Sequence, residues 1–189
     1  DVCSSDLLIL FDSNVKHSLF TSEYNNRRIE CNEGLSIIKE NFPEIESFRD
    51  CNVEQLISLH SKMSDNVFKR SLYAVKEIKR VIQACEALDN GDIKTLGKLM
   101  FETHDGLSKD YEVSCEELDY IVNLAKAEED VIGSRLMGGG FGGCAITLVK
   151  KGSEVTIKDK FTKLYLNKFN IDLKIYDVKV SNGTSLYKN

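Results

Sequence analysis

The run Gly138-Gly139-Gly140-Phe141-Gly142-Gly143 carries the strongest chemical signal in the sequence. A glycine backbone takes positive φ without steric cost and lets a ligand approach closely. Successive N–H groups in such a loop form an anion-binding concavity. The spacing satisfies G-x-G-x-x-G, but the residues that follow, Cys144-Ala145-Ile146-Thr147-Leu148-Val149, read as a strand. A dinucleotide fingerprint opens a helix instead. A Lys-Ser/Thr pair after the last glycine is also missing, which excludes a Walker A loop. Two readings stay open from spacing alone: a loop that meets phosphate, and a tight hairpin that needs glycine only for packing.

Other reactive residue types give weaker signals. Cys3, Cys31, Cys51, Cys85, Cys115 and Cys144 are scattered, with no C-x-x-C pair and no Cys/His group at metal-ligand spacing. They read as reduced thiols packed as small apolar groups, and no metal ligands are assigned. Arg27 and Arg28 read as a solvated basic helix face. His17 and His104 read as structural histidines.

The elements that must position the glycine run follow from periodicity. Leu7 to Phe11 is a continuous apolar run, expected as a strand buried on both faces. A charged helical segment begins at Ser22-Glu23-Tyr24 and runs to about Asn41, ahead of the single proline, Pro43. From Ser64 to Leu88, Phe68, Leu72, Val75, Ile78, Ile82, Cys85 and Leu88 recur at the spacing of one helix face. Gly91 suits a left-handed helix end, and Asp92 can cap the next helix, which carries Ile93, Leu96, Leu99 and Met100. Ser114 and Glu117 have capping-box spacing before Leu118, Ile121, Val122 and Ala125. Ile157, Phe161, Leu164 and Tyr165 suggest another helix, and Ile171, Leu173 and Ile175 alternate as a strand. The expected fold is α+β, a helix bundle packed on a small, mainly antiparallel sheet.

Composition bounds the function. With 42% apolar and 29% charged residues the chain is that of an ordinary globular domain. A net charge of -5 argues against a nucleic-acid surface, which needs clustered cations. No apolar run reaches the roughly 20 residues of a membrane span, so a cytoplasmic location without a membrane partner is expected. Residues 1–7, Asp-Val-Cys-Ser-Ser-Asp-Leu, lack an initiator Met and reverse-translate to a string like a common short-read sequencing adapter. They are expected to be a non-native lead-in, with 8–189 as the folded unit.

Three separated stretches then carry a family resemblance. Gly133-Ser134-Arg135-Leu136-Met137, continuing through the glycines to Cys144, resembles the third signature motif of galactokinases. These belong to a superfamily that also holds homoserine, mevalonate and phosphomevalonate kinases. Ser13 to Leu19 with Ser22 to Asn25, and Asp110 to Asp119, are similar to two further galactokinase stretches. The order is that of the family, and the likeness runs from about Leu8 to the end. One departure stands out: Leu136-Met137 replaces a common Met-Thr, removing a hydroxyl before the loop.

The resemblance implies the carboxyl-terminal half of an enzyme that phosphorylates the anomeric hydroxyl of galactose with ATP and Mg²⁺. Tyr24 matches the tyrosine that contacts the sugar, and Gly138, Gly139, Gly140, Phe141, Gly142 and Gly143 would line the site from this side. Phosphoryl transfer also needs a phosphate loop, a metal and an oriented nucleophile. The family supplies these from amino-terminal motifs that do not occur here: Gly-Glu-His-Thr-Asp, a Gly-Leu-Ser-Ser-Ser loop, and a catalytic Asp after Met. No catalytic residue is therefore assigned within the chain. Taken alone it is expected to be inactive and to expose an apolar patch to its absent half. The alternatives are a galactokinase-like regulator that binds sugar and ATP without turnover, and a stand-alone interaction domain. N-acetylgalactosamine remains open beside galactose as the sugar.

Overall fold

The computed structural model describes residues 6–16 and 20–180. Residues 1–5 of the expected lead-in, His17 and residues 181–189 lie outside the described residues, while Asp6 and Leu7 pair with Lys150 and Val149. In chain order the elements are β1 (Asp6–Lys16), α1 (Phe20–Asn41), α2 (Val53–Ser58), α3 (Asp65–Asp89), α4 (Ile93–Lys109), α5 (Glu116–Lys126), β2 (Val131–Met137), β3 (Gly142–Lys150), α6 (Glu154–Phe169) and β4 (Lys174–Val178). The four strands form one antiparallel sheet in the order β2-β3-β1-β4. The first strand of the chain thus lies at the centre of the sheet, between β3 and β4. The α+β expectation holds: a helical layer on a small antiparallel sheet.

Two cores hold these layers. Ile9 and Phe11 of β1, with Ala145 and Val149 of β3, are buried against Leu118, Ile121 and Val122 of α5 and Ile157, Phe161 and Tyr165 of α6. Phe11 and Phe161 meet with ring centroids 5.0 Å apart. The Tyr165 hydroxyl donates to the Ser13 carbonyl at 2.8 Å, which satisfies its polar tip inside the core. Each such ring contributes about 1.5–3 kcal/mol on burial. The second core joins Ile38, Ile45, Leu56, Leu59 and Val75 from α1, α2, α3 and their connections.

Helix ends follow the sequence in most places. Ser64 caps α3, accepting from the Val67 amide at 3.4 Å. Gly91 takes φ +67, and Asp92 accepts from the Thr95 amide at 3.0 Å to start α4. Helix α2 carries a reciprocal Asn52–Gln55 capping box. At Gly97 and Gly133, α4 crosses β2 backbone to backbone: a Cβ at Gly97 would lie 1.9 Å from the Ile132 carbonyl oxygen.

Three expectations need correction. The apolar stripe of α3 is buried only in part: Val67, Tyr73 and Val75 pack inside, whereas Ile82 and Leu88 are exposed. Leu88, Val81 and Cys85 border a cleft of about 340 Å³ shared with Leu8, Met100 and Ile146. Ser114 does not cap α5; the N-cap is Cys115, without a side-chain hydrogen bond, and the Ser114 hydroxyl turns to Asp119. Finally, a strand precedes the glycines as well as following them. Among the described residues no helix is long and apolar enough to cross a membrane.

Candidate functional site

The glycine run is the turn of a hairpin between β2 and β3, with Met137 paired to Cys144. Gly138, Gly140, Phe141, Gly142 and Gly143 all have positive φ, between +56 and +112. At Gly140 the constraint is double. Its φ is +83, and a Cβ there would lie 2.0 Å from the Val113 carbonyl oxygen. Gly138 and Gly143 face nothing within 4 Å at the same test. One side of the hairpin is therefore packed against the protein and the other is open. The packing reading accounts for Gly140, Gly142 is buried in β3, and Gly138 and Gly143 leave room for close approach.

The segment Asp110–Ser114 supports the packed side. The Phe141 amide donates to the Val113 carbonyl at 2.7 Å. Val113 is held in turn by its own amide, which donates to the Leu107 carbonyl at 2.9 Å. Just before it, Glu112 adopts φ +53, a left-handed conformation unusual for a side chain of this kind. Two arginines hold it there. Arg27 Nη2 donates to the Glu112 carbonyl at 3.1 Å and Nε to the Tyr111 carbonyl at 2.7 Å. Arg70 Nη2 donates to Glu112 Oε2 at 2.7 Å, and Nη1 to the Asp110 carbonyl.

Glu30 completes this cluster by accepting from Arg70 Nε at 3.2 Å and Arg27 Nη1 at 3.4 Å. The Arg70 side chain is only 1% exposed, so its charge depends on these partners. Burial alone would lower its pKa, but the bonds to Glu112 and Glu30 outweigh that and raise it. The hydrogen bond from Arg70 is the main cause that lowers the Glu112 carboxyl. Arg27 is therefore not part of a solvated basic face; it is buried, while Arg28 is exposed. The sequence signal for this was available only in hindsight, as acidic residues at helical spacing on either side of Arg27 (Glu23 and Glu30).

Tyr24 is 42% exposed on α1, one turn before Arg27. The Arg27 bonds tie this turn to Tyr111 and Glu112, and Val113 then carries the connection to Phe141. Tyr24 and the glycine hairpin are thus attached to the same short segment. A separate cleft of about 700 Å³ opens beside α5, lined by Ser108, Ser114, Asp119 and Lys168 among others. Neither Tyr24 nor the glycine hairpin lines it.

His104 is a satisfied structural histidine, as the sequence suggested. It is buried, its Nδ1 accepts the Leu136 amide at 3.1 Å, and its Nε2 lies 3.1 Å from Asp119 Oδ1. With Nδ1 accepting, the proton sits on Nε2 and is donated to the carboxylate. Asp119 also accepts from Ser114 at 2.5 Å and Ser108 at 2.9 Å. Burial would raise the Asp119 carboxyl; the bonds from His104, Ser114 and Ser108 together leave it lowered. The five described cysteines are unpaired, and burial raises Cys115 to about 11, which makes it a poor nucleophile.

Comparison with known proteins gives this geometry a setting. Residues 84–167 match the family described as GHMP kinases C terminal. Galactokinase from Thermotoga maritima is 42% identical over 174 residues, 92% of this chain and 47% of that protein. Galactokinase from Bos taurus is 40% identical over 84% of the chain. The crystal structure of Lactococcus lactis galactokinase complexed with galactose superposes with a TM-score of 0.90 at 27% identity, over 97% of this chain and 47% of that one. The chain spans about half the length of the curated relatives it matches. The chain carries the GHMP kinase carboxyl-terminal domain and is similar over nearly its whole length to about half of a galactokinase.

Proposed function

We propose that the chain serves as the carboxyl-terminal half of a cytoplasmic galactokinase, which transfers the γ-phosphoryl group of ATP to the anomeric hydroxyl of galactose. The observation that carries this reading is the hairpin itself: a glycine turn packed on one side and open on the other, in a chain 42% identical to a galactokinase. In this role Tyr24 offers the sugar a phenol hydroxyl and an apolar ring face. The open side of Gly138–Gly143 brings backbone N–H groups to the phosphate side of the site. By the family resemblance Mg²⁺ belongs mainly to the amino-terminal half, and no step is drawn through it here. That half would also supply the phosphate loop and the catalytic carboxylate, and would be the intramolecular partner.

The test compares the 189-residue chain with the same chain joined to an amino-terminal half, each supplied with galactose, ATP and Mg²⁺. Galactose 1-phosphate is expected from the joined protein alone. Tyr24→Phe in that protein is expected to raise KM for galactose about 5- to 10-fold, the value of about one hydrogen bond. Product from the isolated chain would sink the reading. A joined protein that binds galactose and ATP without turnover would favour the regulator.

A further inference from the structure

We propose that Asp119 is a positioning residue for the glycine hairpin, a single carboxylate that supports two amide bonds holding the hairpin from outside the sheet. The proposal rests on the hairpin lining the site, as argued above.

Besides the pairing of β3 with β1 and the crossing of α4 over β2, two of the hairpin's amides are held by groups outside the sheet. Leu136 belongs to β2, an edge strand of the sheet. Its amide is taken by His104 Nδ1 rather than by another strand. Phe141, at the tip, donates to the Val113 carbonyl. These anchors come from different elements, α4 and the segment before α5, and four residues lie between them along the hairpin. They converge on one side chain. Asp119 Oδ1 accepts the His104 Nε2–H and so fixes the tautomer that leaves Nδ1 free for Leu136. The same oxygen accepts the hydroxyl of Ser114, the residue next to Val113, and Oδ2 accepts that of Ser108 from α4. Without an acceptor at this position the Leu136 amide alone is left to hold the imidazole and its tautomer, and Ser114 loses the bond that steadies the backbone next to Val113. Asp119 reaches the glycines through His104 and Ser114, and its own atoms need touch no substrate.

This arrangement depends on acceptor geometry rather than on charge alone, which gives a specific test. An Asn at 119 can keep its amide oxygen toward His104 and Ser114 and donate its NH₂ to the Ser108 hydroxyl, which serves as an acceptor as well as a donor. An Ala supplies neither. In the complete protein, Asp119→Ala is expected to speed amide hydrogen exchange at Leu136 and Phe141 at least tenfold. Asp119→Asn should stay within about threefold of wild type and keep the His104 Nε2–H tautomer by ¹⁵N chemical shift. Galactose 1-phosphate formation should follow the same order. A loss of positioning on the order of an ångström costs up to about 100-fold in kcat for Ala, with a few-fold change for Asn. Should Asp119→Ala not fold, Ser114→Ala removes one branch: exchange is then expected to rise at Phe141 and not at Leu136.

Equal behaviour of Asn and Ala at both amides would overturn the proposal, as would unchanged exchange in Ala. A wild-type protein that makes no galactose 1-phosphate would defeat the functional reading, and the exchange and tautomer results would still decide the role of Asp119.

Discussion

Gly138 and Gly140 share a left-handed backbone, φ +90 and +83, in very different surroundings. A side chain at Gly138 enters open space and pays only for the conformation, about 1–2 kcal/mol. At Gly140 it also collides with the Val113 carbonyl, and overpacking of that kind adds about 1–3 kcal/mol. Gly140→Ala is therefore expected to lower the urea midpoint distinctly more than Gly138→Ala, with the slope of each transition unchanged. The carboxylates give a second expectation at this scale. Glu112 and Asp119 are both held below their ordinary range in the folded protein. Groups shifted down in this way stabilise the fold fully above their unfolded values, about 4. That contribution is lost as pH falls through the lowered folded values. The thermal midpoint should thus be flat from pH 7 to 5 and fall below about pH 4, and Glu112→Gln should shallow the fall.

Among the elements, the α4–β2 crossing is the most demanding contact. Gly97 lies against Ile132 and Gly133 with no room for a side chain on either backbone. Gly97→Ala must push α4 from the strand, which carries His104 away from Leu136 two turns further on. A loss of about 1–3 kcal/mol is expected, with faster exchange of the Leu136 amide as its local signature. Contacts like this explain what the sequence could and could not tell. Helices α3, α4 and α6 were legible because apolar spacing, and at α4 the Asp92 cap, are local features. Strand β2 was not: Gly133 and Arg135 break its alternation, since the glycine is there for α4 and not for the sheet. Ser114 was read as a cap because spacing cannot show that Asp119, five residues on, competes for its hydroxyl. Arg27 looked solvated for the same reason, as its carbonyl partners lie more than 80 residues away. The glycine run was visible as chemistry, but its packed and open sides exist only once Val113 is in place.

At the scale of the whole molecule, the order β2-β3-β1-β4 puts the first strand in the middle of a sheet whose other members all come last. Leu8 pairs with Leu148 and with Val178, so both of its neighbours lie about 140 residues or more downstream. Contacts of such separation slow folding, because loop closure is paid before any pairing is gained. On a ribosome adding about 5–20 residues per second, the interval between the two strands is roughly 7–30 s. Throughout that time Leu7–Phe11 is an apolar segment without the β3 and β4 partners it has in the sheet, while α1 to α5 can already condense. The nascent chain therefore offers holdase chaperones a defined target at that segment. Its yield in a cell depends on how well that one segment is shielded until β3 and β4 emerge.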